Sequence, residues 1–123
     1  MSARSRITVL IVEDEPMIAL DIETVLSDMG LTNLSVFATR DDAIRWLERN
    51  CPDVAVLDVL LREGTSGDVA ANLSERGIPF VVCSAGDVQI IDKAFAHGIW
   101  VEKPFSETAL QAGVREALAS YFG

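Results

Sequence analysis

The chain has 123 residues, half of them hydrophobic and 24% charged, a balance that excludes disordered and collagen-like classes and suits one globular domain. Ten Lys and Arg against nineteen Asp and Glu leave a net charge of −9, so the basic footprint of a nucleic-acid binder is missing and anionic membrane surfaces are disfavoured. No apolar run approaches the roughly 18–20 residues of a membrane-crossing helix; the first run, Ile7–Val12, leads straight into Glu13-Asp14-Glu15 with no small-residue cleavage site, which reads as a cytoplasmic strand, not a signal peptide.

That run opens a regular alternation. Short Val- and Ile-rich stretches recur at Leu34–Phe37, Val54–Leu57, Phe80–Cys83 and Ile99–Val101, several of them continuously apolar, as parallel strands covered on both faces are. Between the first two, Ile18, Ile22, Val25, Leu26 and Met29 form one helical stripe, with Pro16 at a first turn and Gly30 after its end. Thr39-x-x-Asp42 opens a second helix with Ile44 and Leu47 inward and Trp46 in partly buried packing. Ser66 caps a third, carrying Val69 and Leu73 and ended by Gly77 and Pro79. Asp87 opens a fourth, with Val88, Ile91 and Phe95 on one side, His97 as a solvated helix-end residue and Gly98 beyond it. Ser106 opens a fifth, striped by Leu110, Val114, Ala117, Leu118 and Tyr121. Right-handed crossovers fold this (βα)5 pattern into a doubly wound parallel sheet, with no linker or repeat dividing residues 1–123. Cys51 and Cys83 make no CxxC pair and no metal-ligand spacing, and Cys83, closing an apolar run, reads as a buried free thiol.

An open α/β sheet binds its ligands beyond the carboxyl ends of the strands. There the sequence places Glu13 and Asp14, Asp58, Ser84, and Lys103-Pro104. Each alone has an ordinary reading, as a helix-start acid, a turn residue, a strand-end serine or a solvated lysine; their joint placement at four strand ends is the specific signal. Three carboxylates converging in a small space repel unless a cation joins them. Oxygen ligands without His or Cys point to Mg²⁺ rather than zinc. The lysine beside them points to an anion, phosphate or phosphoryl, and an Asp carboxylate can itself be the nucleophile of an aspartyl-phosphate.

With the acidic pair after "ITVLIV", Asp58 in "DVAVLD", Ser84-Ala85 after "PFVVC" and Lys103-Pro104 in "WVEKPF", the chain resembles the response-regulator receiver domains of two-component signalling. Asp14, Asp58, Ser84 and Lys103 follow one another at spacings of 44, 26 and 19 residues, which fit that family, and the resemblance runs from about Arg6 to Tyr121. It implies a flavodoxin-like fold with strand order 2-1-3-4-5. The residues after Tyr121 are too few to read as an output domain, so output is expected by protein contact. Asp58 would accept a phosphoryl group from phosphohistidine on a sensor histidine kinase or histidine phosphotransfer protein. Asp14 and Asp58 would bind Mg²⁺ directly, Glu13 through water, and Leu60 through its backbone carbonyl. Lys103 would pair with phosphoryl oxygens, Ser84 would move to hydrogen-bond them, small Ala85 would leave room, and the Lys103-Pro104 peptide would be cis. The expected module is a monomer or weak dimer without enzymatic activity beyond its own phosphorylation and dephosphorylation, acting on a downstream protein target.

The departures from the family pattern are local. Trp100 stands where receivers usually carry Tyr or Phe, either as a switch residue that follows Ser84 or as a fixed amphipathic residue at a partner surface. Arg62 replaces the proline usual four residues after the phosphoacceptor, with Gly64 and Gly67 beyond it, so the path of "LLREGTSGD" stays open. Apolar Leu60 stands where other receivers often carry a polar residue that contacts the attacking water, which implies slow self-dephosphorylation. This loop and "GIPFVVCSAGD" also resemble small single-domain receivers of alphaproteobacterial type. Three other classes fit these residues less well. A Mg²⁺-dependent phosphohydrolase with an Asp nucleophile wants a second acid at position 60, which is Leu. A nucleotide binder wants a Gly/Ser/Thr-rich loop where Glu13-Asp14-Glu15 stands. An unphosphorylated scaffold would not need the complete residue set.

Overall fold

The computed structural model describes residues 6–85 and 93–122. Five strands, β1 (Thr8–Val12), β2 (Asn33–Phe37), β3 (Val54–Asp58), β4 (Phe80–Ala85) and β5 (Ile99–Lys103), form one parallel sheet. Their order is β2-β1-β3-β4-β5, the flavodoxin-like order expected from the sequence. Among the described residues, four α-helices accompany them: α1 (Pro16–Asp28), α2 (Arg40–Leu47), α3 (Gly67–Glu75) and α4 (Glu107–Phe122).

Residue parity along the strands builds two cores. Val9 and Ile11 of β1, Val54 and Val56 of β3, and Val81 and Cys83 of β4 pack with Ile22, Val25 and Leu26 of α1 and Leu110, Val114 and Ala117 of α4. Their neighbours Leu10, Val12, Ala55, Leu57, Phe80 and Val82 face the other way, against Ala43 and Leu47 of α2 and Val69, Ala70 and Leu73 of α3. All twelve strand residues are at most 2% exposed. With both faces covered, alternation cannot be read as inside versus outside, which is why these strands look continuously apolar in sequence. Burial contributes roughly 1.5–3 kcal/mol for each large aliphatic side chain.

Local signals start the helices. Pro16 occupies the first turn of α1, where its missing N–H costs nothing. The Thr39 hydroxyl accepts the Asp42 N–H at 3.1 Å, and the Ser106 hydroxyl accepts the Ala109 N–H at 3.0 Å. Ser66 departs from expectation. It precedes α3 but makes no cap bond with its side chain; its hydroxyl donates instead to the Asp58 carbonyl at 2.6 Å. The expected fourth helix differs too. Its start at Asp87, with Val88 and Ile91, lies outside the described residues, and the part that is described, Lys93–His97, is a 3-10 helix with Phe95 buried. The side chain of Tyr121 also lies outside the described residues.

The segment after β3, left open by the sequence, folds as a small antiparallel ribbon in which Leu60 pairs with Thr65 and Leu61 with Gly64. Arg62 and Glu63 make the turn at its tip, and Gly64 leaves it at a φ of +129°, a conformation that side chains rarely adopt.

Candidate functional site

Parallel pairing brings the chemistry to one edge of the sheet. Glu13 and Asp14 follow β1, and the Glu13 N–H donates to the Phe37 carbonyl of β2 at 3.1 Å. Asp58 ends β3 opposite Cys83. Ser84 and Ala85 end β4 opposite Glu102 and Lys103 of β5. Glu13, Asp14, Asp58, Ser84 and Lys103 therefore each sit at a carboxyl-terminal strand end or just past it, where strand ends leave a crevice between the helices of the two faces.

Glu13, Asp14 and Asp58 each offer a carboxylate oxygen within 4.8 Å of the other two. The Lys103 Nζ lies 3.0 Å from Glu13 Oε1 and 3.2 Å from Asp58 Oδ1. Glu13 is fully buried at its side chain, and Asp58 and Lys103 are 12% and 20% exposed, so these charges meet where water screens them poorly. Burial pushes the Glu13 carboxyl up to about 7, with a hydrogen bond to Asp58 adding to the rise and Lys103 opposing it. Burial pulls the Lys103 ammonium down, but the Glu13 and Asp58 carboxylates outweigh it and hold the group above its ordinary value. One ammonium thus meets two of the three clustered carboxylates. The all-oxygen donor set, with negative charge left over, fits a hard divalent cation such as Mg²⁺.

Around this cluster, Asp58, Val59, Leu60, Ser84, Ala85 and Lys103 line a cavity of about 170 Å³. Ser84 is buried and Leu60 is half-exposed at 53%. The Lys103–Pro104 peptide is cis. Trp100, half-buried on β5, donates its indole N–H to the Phe95 carbonyl at 3.1 Å and meets the Phe95 ring edge-on, centroids 6.5 Å apart. Cys83 is a free, buried thiol beneath the site, and burial pushes it up to about 12.

Three participants were not legible as site residues. The Arg62 backbone N–H donates to Asp14 Oδ2 at 2.6 Å, Glu63 accepts the Arg40 N–H at 2.6 Å, and Ser66 holds the Asp58 carbonyl. The first two use a ribbon that no periodicity marks; the missing proline at position 62 was the one available signal. Ser66 carries only the pattern of an ordinary helix cap.

Comparison with known proteins agrees with this geometry. The family model described as response regulator receiver domain matches residues 9–115. The phyllosphere-induced regulator PhyR of Methylorubrum extorquens is 30% identical over 118 residues, covering 89% of this chain and 43% of that protein. The probable transcriptional regulatory protein TcrX of Mycobacterium tuberculosis is 33% identical over 105 residues, covering 81% of this chain and 44% of that protein. The chain thus spans less than half the length of these two relatives. Among solved structures, SdrG from Sphingomonas melonis Fr1 superposes with a TM-score of 0.75 at 36% identity, each chain covering all of the other. The receiver domain of PhyR from Erythrobacter litoralis gives 0.76 at 26% identity, covering 96% of this chain and 94% of that one. With its fold, its strand-end acids and lysine, and a family match across nearly its whole length, the chain belongs to the response regulator receiver domains of two-component signalling.

Proposed function

We propose that Asp58 is the phosphoacceptor of a phosphorelay and takes a phosphoryl group from phosphohistidine on a sensor histidine kinase or a histidine phosphotransfer protein. The observation that carries this reading is the position of Asp58: its carboxylate lies 3.2 Å from Lys103 Nζ, within the Glu13–Asp14–Asp58 cluster, and borders the cavity shared with Ser84 and Ala85. In the step, a carboxylate oxygen of Asp58 forms the new O–P bond as the N–P bond to histidine breaks in line, and the bonding pair leaves with the imidazole. Such a transfer asks the protein for positioning and charge compensation more than for covalent chemistry. A Mg²⁺ held by Asp14 and Asp58, by Glu13 through water and by the Leu60 carbonyl would neutralise phosphoryl oxygens. Lys103 pairs with a further oxygen, giving up its contact with Asp58 for the incoming anion.

The new group brings about −1.5 to −2 charges and three strong acceptors. Ser84, at the wall of the cavity, moves to donate to them. Its displacement, relayed to Trp100 on the paired strand, alters the surface around β5 and the 3-10 helix that a downstream protein reads. The module works in the cytoplasm, as a monomer or weak dimer, and its own chemistry is limited to gaining and losing this phosphoryl group. Apolar Leu60 at the mouth of the cavity makes that loss slow.

Incubation with Mg²⁺ and a small phosphodonor, followed by intact mass, tests the assignment. One added phosphate is expected on wild type and none on Asp58→Asn. A folded wild type that gains no phosphate overturns the reading and leaves a receiver-like scaffold.

A further inference from the structure

The ribbon after β3 reaches the cluster through its backbone. Its tip residue Arg62 points an N–H at Asp14 Oδ2, 2.6 Å away, while the Arg62 side chain is exposed. The ribbon is itself tied down at two points. Glu63 Oε1 accepts the Arg40 N–H at 2.6 Å, filling one of the donors left open in the first turn of α2, and Arg40 Nη1 reaches the Thr65 carbonyl at 3.4 Å. Four residues, three from the ribbon and one from α2, therefore converge on the orientation of one carboxylate.

We propose that the Arg62 amide is a positioning group for metal binding, and that Glu63 and Arg40 are positioning residues acting through the ribbon. Resting on the reading of the cluster as a Mg²⁺ site, this assigns to the ribbon the regulation of that site's affinity. The chemistry is that of an outer hydrogen bond to a ligating carboxylate. With Oδ2 occupied by the amide, Asp14 turns about its χ angles less freely and keeps its other oxygen for the cation, so less ordering remains when the ion binds. The amide carries no charge of its own to repel a cation. The partly buried Asp14 has no other side-chain bond among the described residues to hold it. A residue with a backbone N–H is required at position 62, and proline, the only residue lacking one, cannot fill the role.

That requirement defines the test. Arg62 sits at the second position of the Leu61–Gly64 turn, where proline is sterically welcome, so Arg62→Pro deletes the amide donor while Arg62→Ala deletes only the side chain. Mg²⁺ titrations of both variants and wild type, followed by amide shifts in ¹H–¹⁵N spectra, read affinity without any phosphodonor. The expected result is about tenfold weaker Mg²⁺ binding in Arg62→Pro, the low end of what losing an outer partner of a metal ligand costs, with Arg62→Ala within about twofold of wild type. Equal affinity of Arg62→Pro and Arg62→Ala overturns the proposal, and tighter binding by Arg62→Pro overturns it by showing that the amide competes with the ion. Should Arg62→Pro not fold, Glu63 decides: Glu63→Ala is expected to weaken Mg²⁺ binding and Glu63→Gln, which keeps the acceptor without the charge, to restore it. Equal loss in both Glu63 variants assigns the effect to charge and overturns the proposal. A wild type that binds no Mg²⁺ removes the metal reading first and this inference with it.

Discussion

Glu13 shows what the site costs a single residue. Its side chain is fully buried beside another carboxylate, and its carboxyl is raised from 4.5 to about 7. The folded protein therefore holds that proton more tightly than the unfolded chain between those two values, and stability falls as pH rises through them. The contribution is complete below pH 4.5, the ordinary value, and is lost by the time pH passes about 7. Lys103, raised above 10.5, keeps its contribution throughout this window and loses it only in strong base. Metal-free thermal melts from pH 5 to pH 8 are expected to show wild type losing on the order of 2–3 kcal/mol. Glu13→Gln, with no proton to lose, is expected to run nearly flat; a wild type whose stability holds level or rises over this range contradicts the burial argument.

At the scale of elements, the 3-10 segment and β4 show how a close approach selects its residue. Gly98 ends the 3-10 helix with its N–H on the Phe95 carbonyl at 3.1 Å. Sequence patterning reads it as a helix terminator, yet its φ is not among the left-handed ones. What demands glycine is space: a Cβ there would lie 2.5 Å from Val82 Cγ2 and 2.7 Å from Phe80 Cε2, both in fully buried side chains. Gly98→Ala is expected to destabilise by about 1–3 kcal/mol, as overpacked cores do, read as a lower urea midpoint at unchanged slope. Unchanged stability would mean that this segment shifts freely against β4.

At the scale of the whole molecule, the net charge of −9 is spread over the surface, but three of its nineteen acids share one strand-end cluster. A divalent ion bound only by the folded cluster stabilises the fold by mass action, by about 1.4 kcal/mol at ten times its dissociation constant. Thermal melts are expected to rise with Mg²⁺ at constant ionic strength and to rise much less in Asp14→Asn. An equal response in both would assign the effect to general screening of the acidic surface.

Much of this was written locally. The Val/Ile runs, the helical stripes and the Thr39 and Ser106 caps needed only neighbours in sequence, and a sheet buried on both faces left its mark as continuous apolar strands. The identities of Glu13, Asp14, Asp58, Ser84 and Lys103 were legible for the same reason, since a parallel sheet sends every strand end to one edge. Tertiary structure decided what periodicity cannot encode. The Leu60–Thr65 ribbon is too short to carry a period, and its hold on Asp14 runs through a backbone N–H that every residue but proline possesses. Ser66 was legible as a helix starter but not as the donor to the Asp58 carbonyl, because Asp58 and α3 meet only when the ribbon closes. Gly98 was legible as punctuation; only the packing of Phe80 and Val82 against it shows that the missing atom is the reason it is there.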